Sequence, residues 1–307
     1  MFVFPGQGSQ SIGMLAELAA QDRIIADTFA EASAALGDDL WQLAAAGPAE
    51  KLNQTIYTQP VMLTAGVATW RYWLKAGGNA PDAVAGHSLG EYTALVAAGV
   101  LAFPAALQLV RERAQRMQDA VPAGVGAIAA VLGLEDAQVA AACAAAAQGE
   151  VVEPVNFNSP GQLVIAGHAG AVQRALEGCR ALGAKRVLLL PMSVPAHSSL
   201  MQRAAQGLAS TLRNAPLAAP AIAFWSPVDA RQHLTTEDIR GLLVSQLASP
   251  VRWTALVQAL ITAGCTRLVE CGPGKVLTGL NRRINQRPEV QALALQDPAS
   301  IAAALAP

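Results

Sequence analysis

The sequence predicts an α/β protein whose mostly parallel sheet is covered by helices and interrupted by a small inserted unit. Short apolar runs alternate with amphipathic or alanine-rich helical stretches along much of the chain, which is typical of parallel strands joined by helices. A middle segment differs, because two strands follow one another between its helices. The chain has 307 residues, of which 53% are hydrophobic and 14% charged. This length accommodates a large core with a smaller domain beside it.

Five short apolar runs are the predicted strands of the large sheet. They are FVF, PDAVAG, AIAFWS, TRLVECG and VQALAL, at residues 2–4, 81–86, 221–226, 266–272 and 290–295. Between the first two runs we predict a long helix, with Thr58 as its cap, Pro60 in its first turn and a pair of glycines after its end.

Residues 92–110 are apolar over about the length of a membrane span. Gly99 and Pro104 interrupt this stretch. Because proline breaks a helix that precedes it, we predict two buried helices joined by a turn.

The middle segment predicts a separate small domain. Its strands, helices and hairpin fall in the order βαββαβ, at residues 126–134, 135–149, 151–160, 161–168, 169–184 and 185–192. This order is typical of a ferredoxin-like unit. We therefore expect a small domain over residues 123–191, inserted into a large domain formed by residues 1–122 and 192–307.

Charge and cysteine content restrict the function further. The net charge is −1 and the isoelectric point is near 6.4, so no overall field attracts nucleic acid or an anionic membrane. The four cysteines have neither metal-site spacing nor the density of a disulfide framework, which favours reduced thiols. The opening MFVFPGQGSQ does not have the pattern of a signal peptide. We therefore expect a cytoplasmic location.

Residues 86–90, Gly-His-Ser-Leu-Gly, fit the G-x-S-x-G pattern. Ser88 lies between a predicted strand and a predicted helix, so its hydroxyl would project from a sharp strand-to-helix turn, as in an α/β-hydrolase-like domain. The amino end of that helix would add amide donors beneath it. The alternative is an ordinary turn serine. We favour a nucleophile because of the strand and helix on either side.

A serine nucleophile needs a base near neutral pH. Of the four histidines, His87 adjoins the serine and is expected to orient the turn, whereas His168 and His233 are expected on the surface. His197 follows the last strand of the small domain, where loops from both domains can meet, and is the candidate base. No acid is placed to hold it. We expect a neutral group, such as a main-chain carbonyl, to do so.

Several longer stretches together carry a resemblance to a known family. They are FVFPGQGSQ at residues 2–10, GHSLGEYTALVAAG at 86–99, NFNSPGQLVIAGH at 156–168, VPAHSSLM at 194–201, QLASPVRW at 246–253 and GPGKVLTGL at 272–280. In this order and spacing the chain resembles, from end to end, the malonyl-CoA:acyl-carrier-protein transacylases of bacterial fatty acid synthesis.

The resemblance implies a ping-pong acyl transfer. Ser88 would accept malonyl from coenzyme A, and His197 would take the serine proton and later activate the phosphopantetheine thiol of acyl carrier protein. Gln7 and Leu89 would supply the main-chain amides of an oxyanion hole. Donors of this kind are each worth about 3 kcal/mol of barrier. Gln246 would hold the histidine through its main-chain carbonyl.

The malonyl carboxylate needs a cationic partner if it is buried, and a planar guanidinium can bind both of its oxygens. The helix predicted over residues 104–120 offers Arg111, Arg113 and Arg116. Its periodicity does not choose among them, and the resemblance selects Arg113. It also implies a minor binding role for three polar residues of the small domain, Asn156, Asn158 and Ser159.

The implied partners are malonyl-CoA and acyl carrier protein, and no metal or other cofactor is implied. Because the net charge is near zero, an acidic carrier would need a local basic surface. The candidates are two clusters, Lys185 with Arg186 and Lys275 with Arg282, Arg283 and Arg287. We expect a monomer that binds neither nucleic acid nor membrane.

Other functions stay open on sequence alone. One is a thioesterase or esterase that uses water as the acceptor, although hydrolases on such an elbow carry an acid and a late histidine. Another is a non-catalytic relative that acts as a scaffold. A third is a transacylase for a different acyl group, such as methylmalonyl, or one that serves malonate decarboxylase.

Overall fold

A computed structural model describes residues 1–122, 124–192 and 194–306 of the chain. Its strands are β1 (Phe2–Phe4), β2 (Ala83–Gly86), β3 (Gly126–Leu132), β4 (Val152–Ser159), β5 (Gln162–His168), β6 (Arg186–Leu189), β7 (Ala223–Ser226), β8 (Arg231–His233), β9 (Arg267–Glu270) and β10 (Gln291–Ala294). The five strands expected in the large sheet and the four expected in the middle segment are all present.

Helices occupy most of the remaining chain. The α-helices are α1 (Ala16–Gln21), α2 (Ile24–Leu36), α3 (Leu40–Ala46), α4 (Ala49–Leu52), α5 (Thr55–Lys75), α6 (Gly90–Ala97), α7 (Phe103–Ala120), α8 (Asp136–Ala147), α9 (Ala169–Ala181), α10 (Gln202–Asn214), α11 (Thr236–Ser245), α12 (Trp253–Thr262), α13 (Val276–Ile284) and α14 (Pro298–Leu305). Two short 3-10 helices cover Ser199–Met201 and Gln246–Ala248.

The large sheet has six strands in the order β10-β9-β1-β2-β7-β8. All neighbouring strands are parallel except β7 and β8, which pair antiparallel. Side chains alternate between its faces, as the pleat requires. Phe2 and Phe4 pack into the main core with α5 and α7, whereas Val3 packs against α12 and α13 on the other face. The sheet is therefore covered on both sides, as parallel sheets are.

The small sheet has four strands in the order β4-β5-β3-β6, and every neighbouring pair is antiparallel. Helices α8 and α9 cover one face of it, around a second apolar core. Strand β4 also bonds to the loop before α12: the Val251 N–H donates to the Val155 carbonyl at 2.8 Å, and the Phe157 N–H donates to the Val251 carbonyl at 2.9 Å. Main-chain hydrogen bonds thus join the small sheet to the loop that precedes α12.

Two expectations about helices have different outcomes. Residues 92–110 do form two helices, α6 and α7, with Pro104 in the first turn of the second. The expected cap of α5 is wrong, because this helix begins at Thr55, so Thr58 and Pro60 lie inside it. The Thr58 hydroxyl donates to the carbonyls of Leu52 and Gln54 rather than capping free N–H groups. Burial of Thr58 and Pro60 within the helix therefore outweighs the capping pattern in the sequence.

In the part of the chain that the structure describes, no helix is both long and apolar enough to cross a membrane. Ala123, where the small domain was expected to begin, and Pro307, where the large one was expected to end, lie outside the described residues.

Candidate active site

Ser88 lies on the sharp bend between β2 and α6, with φ of 52°. The two glycines of the pattern are required by close approach of the backbone. A Cβ on Gly86 would lie 1.9 Å from the carbonyl carbon of Gly90, and a Cβ on Gly90 would lie 2.0 Å from the carbonyl oxygen of Phe4. The strand, the helix and β1 therefore pack together at this bend only because neither position carries a side chain.

His197 meets the serine from a distant part of the chain. Its Nε2 atom lies 2.7 Å from Ser88 Oγ, and its Nδ1 atom lies 2.9 Å from the main-chain oxygen of Gln246. A carbonyl only accepts hydrogen bonds, so Nδ1 carries the proton and Nε2 is free to accept from the serine hydroxyl. The arrangement is a Ser-His pair in which a neutral carbonyl takes the place of the acid of a triad.

Burial keeps this imidazole neutral. His197 is only 3% exposed. Burial and then the nearby positive charge of Arg113 lower the pKa of His197 to about 3. Both effects disfavour the imidazolium. At neutral pH the ring is therefore in the form that can accept a proton.

Arg113 of α7 is buried beside the pair, with 1% of its surface exposed. Its Nη1 donates to Gln59 Oε1 at 2.7 Å, and its Nη2 donates to Gln246 Oε1 at 2.9 Å and to Ser88 Oγ at 3.3 Å. Among the described residues no carboxylate pairs with it directly. The site thus presents a fixed cation, held by amide oxygens, next to the serine.

The other two arginines of α7 face elsewhere. Arg111 forms an ion pair with Asp38, and Arg116 forms one with Glu112 on its own helix. The structure therefore separates the three candidates that helical periodicity left equal. Of the three arginines, only Arg113 donates a hydrogen bond to Ser88 Oγ.

Gln246 links several of these groups through its side chain as well as its carbonyl. Its Nε2 atom lies 2.9 Å from the main-chain oxygen of Ser88 and 2.5 Å from Glu91 Oε2. Glu91 Oε1 accepts from Ser226 Oγ at 2.7 Å. Glu91 is buried, and burial raises its pKa to about 7. A buried carboxylate and a buried guanidinium are therefore bridged by one amide.

The loop after β1 packs directly on the serine bend. A Cβ on Gly6 would lie 2.5 Å from the carbonyl oxygen of His87. The neighbouring Gln7 donates its side-chain amide to Thr55 Oγ1 at 3.3 Å. Leu89 caps the amino end of α6, where main-chain N–H groups have no partner within the helix. The two residues expected in an oxyanion hole thus lie on the two segments that meet at Ser88.

His87 connects the bend to the small sheet. Its Nε2 atom lies 2.9 Å from Asn158 Oδ1 on β4, and its ring packs 5.4 Å from that of Trp253. Nearby on β4, Asn156 Oδ1 and Ser159 Oγ are buried without a hydrogen-bond partner among the described residues. Of the three polar residues singled out in this strand, Asn158 therefore contacts the bend, and the other two have polar atoms without a partner among the described residues.

The remaining histidines have partners elsewhere. The Val151 N–H donates to His168 Nδ1 at 2.9 Å, and His233 Nε2 lies 3.1 Å from the Asp229 carboxylate. Both are half-buried, so part of each residue is exposed at the surface. Sequence reasoning missed Gln59, Glu91 and Ser226. The one available signal was Glu91, a charged residue in the otherwise apolar run that follows the serine.

Comparison with known proteins identifies the family. Residues 1–295 match the acyl transferase domain model. The chain is 55% identical to the malonyl CoA-acyl carrier protein transacylase of Salmonella typhimurium, covering 99% of this chain and 98% of the relative. The chain belongs to this family of acyltransferases. It is 42% identical to the Bacillus subtilis transacylase, over 99% of this chain and 95% of the relative.

Solved structures of transacylases have the same fold. The malonyl-CoA:acyl carrier protein transacylase from Xanthomonas oryzae superposes with a TM-score of 0.96 at 55% identity, covering 99% of this chain and 96% of that one. A malonyl-transacylase in complex with its type II PKS acyl-carrier protein superposes with a TM-score of 0.97 at 50% identity, covering 99% and 98%. The two-sheet α/β fold is therefore that of the family's transacylases.

Proposed function

We propose that this acyltransferase moves a malonyl group from malonyl-CoA to the phosphopantetheine thiol of acyl carrier protein, through an ester on Ser88. The observation that carries the proposal is the hydrogen-bonded pair of Ser88 and His197 with the buried guanidinium of Arg113 beside it. The names of the relatives agree with this substrate and acceptor.

In the first half-reaction His197 Nε2 takes the proton of Ser88 Oγ as this oxygen attacks the thioester carbon of malonyl-CoA. The carbon–sulfur bond then breaks, and the coenzyme A sulfur leaves with the proton from His197. In the second half-reaction the imidazole takes the proton of the carrier thiol. The sulfur attacks the ester carbon, and Ser88 Oγ leaves and regains a proton.

Arg113 selects the acyl group in this proposal. The malonyl carboxylate is one methylene from the reacting carbonyl, and Arg113 Nη2 lies 3.3 Å from the attacking oxygen. The guanidinium can therefore bind the carboxylate while the carbonyl is at Ser88. The main-chain N–H groups of Gln7 and Leu89 would stabilise the oxyanion that forms on that carbonyl.

We also propose that residues 123–191 form a ferredoxin-like domain inserted into an α/β-hydrolase-like domain of residues 1–122 and 192–307. The βαββαβ order and the antiparallel four-stranded sheet support it.

The reaction moves only protons and an acyl group, so it needs no cofactor. We also propose that the protein is a cytoplasmic monomer.

The test is transfer of labelled malonyl from malonyl-CoA. We expect an ester on Ser88 in the wild type, none in Ser88→Ala, and in Arg113→Ala a loss of the preference for malonyl-CoA over acetyl-CoA. Arg116→Ala, on the same helix but in a surface ion pair, is the matched control and should keep the preference. Release of free malonate faster than transfer to the carrier would instead indicate a hydrolase.

An unchanged preference in Arg113→Ala would contradict the assignment of malonyl. No ester on the wild type would contradict the mechanism as a whole and favour a non-catalytic role.

A further inference from the structure

We propose that Glu91 is the resident counter-ion of Arg113, and that binding of the malonyl carboxylate to Arg113 is accompanied by uptake of a proton by Glu91. This inference rests on the proposed function, because it concerns the malonyl carboxylate. It adds a residue that determines how strongly the site prefers a charged acyl group at a given pH.

The geometry places the two charges on opposite ends of one amide. Gln246 accepts from Arg113 Nη2 through Oε1 at 2.9 Å and donates to Glu91 Oε2 through Nε2 at 2.5 Å. Reversing this amide would face its NH2 group toward the guanidinium and its oxygen toward the carboxylate, so the orientation is fixed by the two charges. Arg113 and Glu91 are both 1% exposed. Their charges therefore act on each other with little screening by water.

The other groups around Glu91 are few. Ser226 of β7 donates to it at 2.7 Å, and the Gln246 amide donates from the 3-10 helix. The nearby charges are Arg113 of α7, which lowers the pKa of Glu91, and Asp229 in the β7–β8 turn, which raises it. The neighbouring phenol of Tyr92 stays neutral, since burial raises its pKa to about 12.

The charge balance decides the direction of the effect. With Glu91 ionised, the site has no net charge, and a bound malonyl carboxylate leaves one uncompensated buried negative charge, which is costly. With Glu91 protonated, the same carboxylate neutralises Arg113. A ligand carboxylate on Arg113 also removes the attraction that lowers the pKa of Glu91. Because the unliganded pKa is about 7, the proton is taken up at neutral and alkaline pH.

The experiment measures protons taken up on binding. Malonyl-CoA and acetyl-CoA are titrated calorimetrically into Ser88→Ala, which cannot be acylated, at pH 8 in two buffers of different ionisation enthalpy. Acetyl-CoA carries the same coenzyme, so the difference between the two ligands reports the acyl carboxylate alone. We expect malonyl-CoA to take up more protons than acetyl-CoA. Its affinity should weaken by up to about tenfold per pH unit above neutrality, the limit for one linked proton.

Two further variants assign the proton. Glu91→Gln in the same background keeps the shape and can still accept from Gln246, and it should abolish both the difference in uptake and the pH dependence. Glu270→Gln is the matched control, because Glu270 is a buried carboxylate that instead accepts from the N–H groups of Leu277 and Thr278 at α13. It should leave both unchanged.

A second measurement does not depend on a Glu91 variant folding. Infrared difference spectra of ¹³C-labelled protein should show a new protonated carboxyl band when malonyl-CoA binds, and none with acetyl-CoA. Equal proton uptake for the two ligands, or a difference that persists in Glu91→Gln, would overturn the inference. If malonyl-CoA still binds selectively through Arg113 in that case, the proposed function stands. If it does not, the proposed function fails first.

Discussion

At the scale of single residues, the chemistry of the site depends on which polar atoms of each side chain are already hydrogen-bonded and which remain available. His197 is fixed in one tautomer because a carbonyl can only accept from it, and this directs its free nitrogen at Ser88. Among the described residues, no carboxylate contacts Arg113 directly, because its nearest partners are the amides of Gln59 and Gln246. These amides orient the guanidinium without neutralising it. A ligand carboxylate can therefore complete its pairing.

The lowered pKa of His197 has a consequence for acid conditions. Because burial and Arg113 lower it to about 3, the neutral imidazole persists well below the ordinary range of histidine, near pH 6.5. Acylation of Ser88 by acetyl-CoA, whose acyl group is uncharged, should therefore stay constant from pH 6.5 down to pH 5 in single-turnover experiments. A one-proton loss of rate centred near pH 6.5 would show that the imidazole titrates normally.

At the scale of elements, close approach of backbones shapes the serine bend. Gly90 begins α6 at a point where the helix contacts the main chain of β1. Glycine normally weakens a helix, so its presence here reflects packing rather than propensity. The sequence alone showed the pattern of two glycines around Ser88, but not that β1 is the element that requires the second one.

Two helical glycines provide a matched pair of substitutions. Gly90→Ala would place its Cβ 2.0 Å from the Phe4 carbonyl oxygen, whereas no atom lies within 4 Å of a Cβ built on Gly241 of α11. We expect Gly241→Ala to be neutral or to stabilise by up to about 1 kcal/mol, the difference in helix propensity. Gly90→Ala should lower the free energy of unfolding, by several times the size of the Gly241→Ala effect. Denaturant unfolding monitored by circular dichroism measures both, and equal effects would refute the packing argument.

Sequence reasoning succeeded where the signal is local and failed where it depends on packing. The strands and the two helices after Ser88 follow apolar runs and a proline, and all are present. The start of α5 was misplaced because the sequence signals at Thr58 and Pro60 suggested a helix start. The helix in fact begins at Thr55, and both residues are buried inside it by contacts with distant parts of the chain. The resemblance selected Arg113, since periodicity treats the three arginines of α7 alike. Gln59 and Ser226 had no signal, because each acts only through a partner distant in the chain.

At the scale of the whole molecule, the site lies where the two sheets meet. His87 of the bend bonds to Asn158 of β4, and the same strand bonds through its main chain to Val251 in the loop before α12. The net charge of −1 gives no overall attraction for an acidic carrier. We therefore propose that docking depends on local basic residues, and those of the two candidate clusters are all exposed.

Neutralising these clusters tests the docking proposal. Replacing Lys185 and Arg186 by glutamine, and in a second protein Lys275, Arg282, Arg283 and Arg287, should raise the KM for acyl carrier protein several-fold and flatten its salt dependence, because surface attraction is screened by ions. The KM for malonyl-CoA should not change. Arg23→Gln, an exposed arginine outside both clusters, is the control. An unaltered carrier rate in both cluster variants would place docking elsewhere.

The two reacting residues both have a positive φ, and this limits how such a protein can evolve. Ser88 and His197 have φ of 52° and 68°, a handedness that suits glycine and that other residues adopt at a cost of about 1–3 kcal/mol. Replacement by glycine at either position would relax the chain and abolish the chemistry together. Selection for stability alone would therefore favour glycine at both positions. Only selection for catalytic turnover keeps the serine and the histidine.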